Sequence, residues 1–116
     1  MEKAFLEQRS VVLVPYPFSN LENSKFRPVV VISNNVYNKQ FRDFIAVPLT
    51  SNTSPRDHAI PLTGNEMDTG YLPLYSVVRA DRVFSLEQRL INKSFGLVKQ
   101  ITFDRIISEL IKILVE

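Results

Sequence analysis

The amino-acid sequence predicts a mainly β domain of the β-rich α+β kind, a small barrel of short antiparallel strands with one amphipathic helix at its C-terminal end. Three observations predict it. Short β-branched runs recur, each bounded by proline, asparagine or serine. The links between them are short, which favours antiparallel neighbours over crossover connections. After Thr102 the apolar spacing changes from strand-like to helical. With 116 residues the chain has the size of one domain, taken as residues 1–116, and can bury roughly two-thirds of its unfolded surface without staples.

Each element has its own justification. Val11-Val12-Leu13-Val14 is a buried strand closed by Pro15-Tyr16-Pro17. Phe18 to Phe26 is rich in turn formers and polar groups and reads as a loop. Arg27-Pro28 leads into Val29-Val30-Val31-Ile32-Ser33, the strongest strand of the sequence, and Pro28 marks where its pairing begins because proline offers no donor. Asn34 to Gln40 is a polar connection, followed by a strand from Phe44 to Leu49 that ends at Thr50-Ser51-Asn52. His58 to Leu62 is an edge strand, since Pro61 interrupts any ladder. Tyr75 to Val83 is a further strand, with Ser76, Val78 and Ala80 on one face and Val77, Arg79 and Asp81 on the other. Ile91 to Val98 adds another, bent or bulged at Gly96. Finally Phe103, Ile106, Ile107, Leu110, Ile113 and Leu114 form one helical stripe, with Thr102 as its N-cap and Asp104 suited to the positive end of the helix dipole.

Composition narrows the chemistry. There is no cysteine, so disulfides, thiolate nucleophiles and cysteine-ligated zinc are excluded. A single histidine, His58, forbids a histidine pair within one chain. Asp43, Asp57, Asp68 and Asp81 are scattered without a ligand spacing, so no metal is expected, and no glycine-rich phosphate loop occurs, so no nucleotide cofactor is expected either. Fourteen basic against twelve acidic residues leave a net charge of +2, which permits a local basic site without a basic arm. The first nine residues lack the apolar core of a signal peptide, and the apolar runs are far below the ~20 residues of a membrane span. The expectation is a cytoplasmic protein that does not engage a membrane.

Two places carry polar residues that a packed domain does not need. One is the loop from Ser19 to Arg27, with an arginine immediately before a buried strand; the other is Thr50-Ser51-Asn52 at a strand end. Strand ends hold side chains more firmly than loop tips, so both suit a site, although a surface cation and ordinary turn chemistry explain them as well. Tyr16, Phe18, Phe26, Tyr37 and Phe41 interleave with Lys25, Arg27, Lys39 and Arg42, the mixture of stacking faces and cations that single-stranded RNA requires. Core or interface packing is the competing reading for the phenylalanines.

Val12-Leu13-Val14-Pro15-Tyr16-Pro17-Phe18-Ser19, Lys25-Phe26-Arg27-Pro28 with the strand after it, and Val47-Pro48-Leu49-Thr50-Ser51-Asn52 together resemble the PemK/MazF family of toxins. Ser76 to Val83 and the Gly96-containing run before the terminal helix are similar to that family too, in the same order along nearly the whole chain. The resemblance implies an SH3-like, CcdB/PemK-like barrel, a homodimer, and metal-independent endoribonuclease cleavage of single-stranded RNA with no cofactor. It also implies a cognate antitoxin whose disordered acidic tail lies in the RNA groove.

Residue by residue, the family's catalytic arginine falls on Arg27 and its catalytic threonine on Thr50, while Phe18, Glu22, Lys25, Ser51, Asn52 and Asp81 are expected to contact substrate. One departure is visible: the Gly-Asp pair that commonly opens the family's first strand is Ser10-Val11 here. Arg27 suits charge stabilisation, but neither an arginine nor an unactivated threonine is a ready proton acceptor. Glu22 and Asp81 are candidates for base or orienter, and an ion pair with Lys25, Arg27 or Arg82 is the competing reading of both. A catalytic His58 is disfavoured by its place at the start of an edge strand. The alternative function is a non-enzymatic, CcdB-like module acting on DNA gyrase or another partner, but the mostly apolar end, Lys112 to Glu116, offers no evident gripping surface for it.

Overall fold

Strand alternation divides this molecule into two faces with different fates. The computed structural model describes residues 5–16, 25–52, 54–72 and 74–116. Its strands are β1 (Ser10–Tyr16), β2 (Lys25–Val31), β3 (Asp43–Thr50), β4 (Ala59–Leu62), β5 (Met67–Gly70), β6 (Ser76–Arg79), β7 (Phe84–Glu87) and β8 (Lys93–Val98). They form one curled antiparallel half-barrel in the order β4-β6-β3-β2-β1-β8-β5, with β7 also pairing β3. Among the described residues two α-helices complete the fold, α1 (Asn35–Gln40) and the C-terminal α2 (Gln100–Leu114). The mainly β class and the terminal helix are therefore as the sequence predicts.

On the first face Val11, Val30, Val47, Leu49, Val78 and Phe95 meet Phe103 and Ile106 of α2 in the larger buried cluster. On the other face Val12, Val14, Val29, Val31, Phe44 and Ala46 form a smaller one, covered by Leu6, Phe84, Leu86 and Ile91. Neighbouring residues of β1, β2 and β3 thus enter opposite clusters, as a pleat of period two requires. Near the edge, β5 and β8 approach so closely that Gly70 (φ 76°) and Gly96 (φ 134°) lie against each other's backbones, and β8 shifts register between Val11 and Val12 of β1. The bend expected at Gly96 is this bulge.

Four details differ from the sequence reading. Asn34 to Gln40 is not a plain connection: the Asn34 side chain accepts the Tyr37 N–H at 2.8 Å and caps α1. The expected strand from Tyr75 to Val83 is cut short: β6 ends at Arg79, and a turn closed by the Arg82 N–H on the Arg79 carbonyl (3.1 Å) leads into β7, a strand that the sequence reading does not contain. The two strands then line one edge of β3, β7 along Asp43–Ala46 and β6 along Leu49–Thr50. Thr102 is not an N-cap: the Lys99 N–H donates to the Glu66 carbonyl (2.8 Å), the helix starts at Gln100, and Thr102 is buried inside it. Lastly, β2 begins at Lys25 against β1, and only its pairing with β3 begins after Pro28, at Val29. Among the described residues no helix is long and apolar enough to cross a membrane.

Candidate active site

The register of β1 and β2 brings the key side chains to one face. Val14 pairs with Arg27 and Tyr16 with Lys25, so these side chains follow Val12, Val14 and Val29 on the face away from α2. On β3, Thr50 shares this face with Phe44 and Ala46, six and four residues before it. Carrying the Val29–Pro48 register two residues further sets Arg27 level with Thr50. Val77 of β6 pairs with Thr50, which places Arg79, two residues on, on the same face again. Where the aliphatic cluster ends, the face therefore continues as Tyr16, Lys25, Arg27, Thr50 and Arg79.

Tyr16 is the hub of this end. The Arg27 guanidinium lies 5.7 Å from its ring centroid, and Phe84 meets the ring edge-on at 5.6 Å and 79°. Burial pushes the Tyr16 phenol above its ordinary value, against the opposing pull of Arg82, Arg27 and Arg79, so it stays neutral among cations at neutral pH. Arg79 is spoken for: its Nε and Nη2 donate to Asp81 Oδ1 and Oδ2 at 3.1 and 2.9 Å. That bidentate bond holds the Asp81 carboxyl below the usual range, so Asp81 stays ionised and is a weak proton acceptor. Among the described residues neither Arg27 nor Arg82 has a carboxylate within ion-pair distance.

Thr50 is half-buried at the end of β3 and its Oγ1 accepts the Asn52 N–H at 3.1 Å. That bond leaves the hydroxyl proton free to be donated. The Asn52 side chain accepts the Ser54 N–H (3.1 Å), shaping the turn, while Ser51 is exposed beside it. Lys25 is exposed at the open end of β2. Phe18 and Glu22 lie outside the described residues. His58 sits elsewhere, its Nδ1 3.1 Å from Glu109 Oε1 of α2, on the side of the covered face.

The aromatic and basic residues expected around the site divide. Tyr37, Lys39 and Phe41 belong to α1 and its end, which follows Val31 at the far end of β2, roughly 13 Å along the strand from Arg27. Phe26 and Phe41 are both exposed, not core. The cations that join Arg27 come instead from Arg79 and Arg82, near Tyr16 in space and more than sixty residues away in sequence. The alternation of Val77 and Arg79 already put Arg79 on a polar face; nothing in the sequence put Arg82 beside β1.

The sequence pattern of PemK-like, MazF-like toxins of type II toxin-antitoxin systems matches residues 7–114. The chain belongs to this family. Its fold agrees with solved structures. One is an endoribonuclease in complex with its cognate antitoxin from a mycobacterial species, at TM-score 0.76 and 21% identity over 94% of each chain. Another is MazF of Deinococcus radiodurans, at 0.77 and 21% over 97% of this chain and 98% of that one. A third is the Mycobacterium tuberculosis toxin MazF-mt6, at 0.73 and 15% over 91% and 96%. No curated protein sequence matches the chain significantly. At these identities the likeness is one of fold, and for the PemK/MazF-like chain the residues must carry the rest.

Proposed function

We propose that this PemK/MazF-like toxin is a metal-independent endoribonuclease that cleaves single-stranded RNA, mRNA above all, at a short sequence and so arrests translation. The observation that supports the reading is that Arg27 of β2 and Thr50 of β3 fall on one face of neighbouring strands in a MazF-like fold, the guanidinium without a carboxylate among the described residues. In the reaction the RNA 2′-hydroxyl loses its proton and attacks the adjacent phosphorus; the 5′-oxygen leaves and is protonated. The products are a 2′,3′-cyclic phosphate and a 5′-hydroxyl.

Negative charge gathers on the phosphoryl oxygens as the bond forms. Arg27 offers two parallel N–H donors and a permanent charge to them, and Thr50 adds a hydroxyl donor. Lys25, Ser51 and Asn52, with Phe18 and Glu22 that precede β2 in the sequence, are proposed to hold the flanking nucleotides. Asp81 fits an orienting role, holding Arg79 in the groove wall. Further parts of the proposal are a single domain over 1–116, a homodimer, a cytoplasmic site of action, and an antitoxin whose acidic tail folds into the same cationic groove. The complexes of mycobacterial and Deinococcus relatives with antitoxin support the last part.

The test is incubation of the purified protein with a long RNA in EDTA, with mapping of the new 5′ ends. Cleavage at a recurring short sequence with 5′-hydroxyl ends is expected, and Arg27→Ala should lower its rate by about 10²–10³-fold. Thr50→Ala should lower it by about 10–100-fold. No cleavage, or cleavage undiminished in both variants, would overturn the reading.

A further inference from the structure

The end of the sheet opposite Arg27 carries a second aromatic and cationic surface, at α1. β7 leads to it: Phe84 meets Tyr16 edge-on at 5.6 Å, and Gln88, just past the strand, donates its Nε2 hydrogens to the carbonyls of Asn38 (2.8 Å) and Phe41 (3.1 Å). Asn38 is buried, and its Nδ2 donates to the carbonyls of Leu6 (3.2 Å) and Ser33 (3.0 Å). Leu6, Phe84 and Leu86 all cover the smaller cluster, so the elements that hold α1 lie on the side of the sheet that carries Arg27. On this surface Phe41 is exposed, with its ring centroid 4.7 Å from that of Tyr37. The Lys39 ammonium lies 4.3 Å from the ring centroid of Phe5, also exposed, and Arg42 is exposed beside Phe41. Among the described residues neither Lys39 nor Arg42 has a carboxylate within ion-pair distance.

Resting on the endoribonuclease reading, we propose that α1 and its C-terminal end are a second contact for single-stranded RNA, where Phe41 and Phe5 offer ring faces to bases flanking the cut and Lys39 and Arg42 meet the phosphates. The chemistry selects this occupant. Exposed rings with unneutralised cations between them match a strand of alternating bases and phosphates. An apolar protein surface would instead bury both charges without a partner, at a cost. The surface is also held in place, because Asn38 ties the middle of α1 to two backbone carbonyls and Gln88 ties its end. Its distance from the reacting centre sets the length of RNA that can reach it. Arg27 and Val31 are four residues apart on β2, roughly 13 Å, which is about 4 nucleotides of a stacked strand. An RNA that fills only the reacting centre therefore stops short of α1. A contact this far from the scissile bond binds ground and transition states alike, so its loss raises KM for long RNA and leaves kcat near its original value.

The test compares two 2′-O-methylated, non-cleavable RNAs, a short one of about 4 nucleotides spanning the mapped cut and a longer one of about 12 that extends it at both ends. Their binding is measured to the full chain, to Phe41→Ala, to Phe41→Tyr and to the double variant Lys39→Ala/Arg42→Ala. All three positions are exposed, so the variants should fold, and unchanged kcat on a cleavable short RNA checks that they do. Phe41→Ala should bind the longer RNA about 5–150-fold more weakly, the range for one base stacked on a ring, and Phe41→Tyr should restore it. Each phosphate contact on a single strand contributes about 0.7 to the salt slope, so the double variant should lose roughly 7-fold less affinity than the full chain between about 50 and 200 mM salt. The short RNA should bind equally to all. Unchanged binding of the longer RNA would overturn the proposal and leave the rings of α1 to a protein partner. An equal loss on both RNAs would overturn it too, since the residues would then act through the reacting centre or the fold. A chain that cuts no RNA, yet holds a generic strand of about 12 nucleotides through these residues, would overturn the nuclease reading and leave this contact standing.

Discussion

The two faces of the β sheet are built from the same strands and end differently. The face under α2 is apolar to its edges: every strand but β7 gives it a buried residue, and Phe103 and Ile106 close it. The other face is aliphatic only in its middle, where Val12, Val14, Val29 and Val31 meet Phe44 and Ala46. Beyond that it turns into a phenol, three guanidinium groups and a hydroxyl. A period of two gives neighbouring positions of one strand opposite neighbours, so β2 can place Val30 in the larger cluster and Arg27, three residues before it, on the opposite face. The larger buried cluster lies on one side and the proposed chemistry on the other, and the two should respond to mutation independently.

The largest effect to look for is on the covered face. Phe103→Ala removes a buried ring from the seam between α2 and the sheet and should cost about 3–5 kcal/mol, read as a lowered denaturant midpoint. RNA cleavage by the fraction that stays folded should be unaffected. Arg27→Ala should do the reverse, removing the rate as above while stability shifts by no more than about 1 kcal/mol, the scale of its contact with Tyr16. A variant of either kind that moved both quantities equally would break the division of labour. Gly96→Ala comes next. A methyl there would collide with the Thr69 carbonyl at a φ of 134°, so at least about 1–3 kcal/mol should be lost from strain, with β5 released from β8 and the groove untouched.

The same contrast explains what the sequence could reveal. The covered face is written as periodicity: β-branched runs and the Phe103–Ile106 stripe name their own partners by type, because any apolar side chain of suitable size serves. Arg27 and Thr50 were legible for a different reason, as polar residues at the ends of apolar runs that also fit a family pattern. Arg82 was not legible. Its place depends on the turn between β6 and β7, which is set by the pairing of both strands with β3 and not by any local pattern. Asn34 to Gln40 hid for a similar reason. Its helix is held by the Asn34 cap and by Asn38, which is buried and bonded to Ser33 and Leu6, so its polar letters read as loop. Aromatic residues close to Arg27 in sequence, Tyr37 and Phe41, were carried to the far end of β2 by the strand between them.

The smallest effect probes the border between the faces, where Asp81 joins the groove's charges. Its carboxyl is held below the usual range chiefly by the hydrogen bonds from Arg79, so the folded chain binds this proton less readily than the unfolded one. The sign follows from linkage: the pair's contribution is complete above the unfolded carboxyl value near 4 and is lost as the pH falls through the lower folded value. Asp81→Asn should therefore be less stable than the unmodified chain at pH 7 by about 0.2–1 kcal/mol, the scale of an exposed pair, and the two should converge in acid. Its effect on RNA should run the other way. Freed from its carboxylate, Arg79 adds a third unneutralised guanidinium beside Tyr16, and binding of a non-cleavable RNA should tighten, with a steeper salt slope. Weaker binding would show that Asp81 serves the groove by aiming Arg79 more than it costs by neutralising it. A collapse in kcat with binding retained would return to Asp81 the part of proton acceptor that its bond to Arg79 argues against.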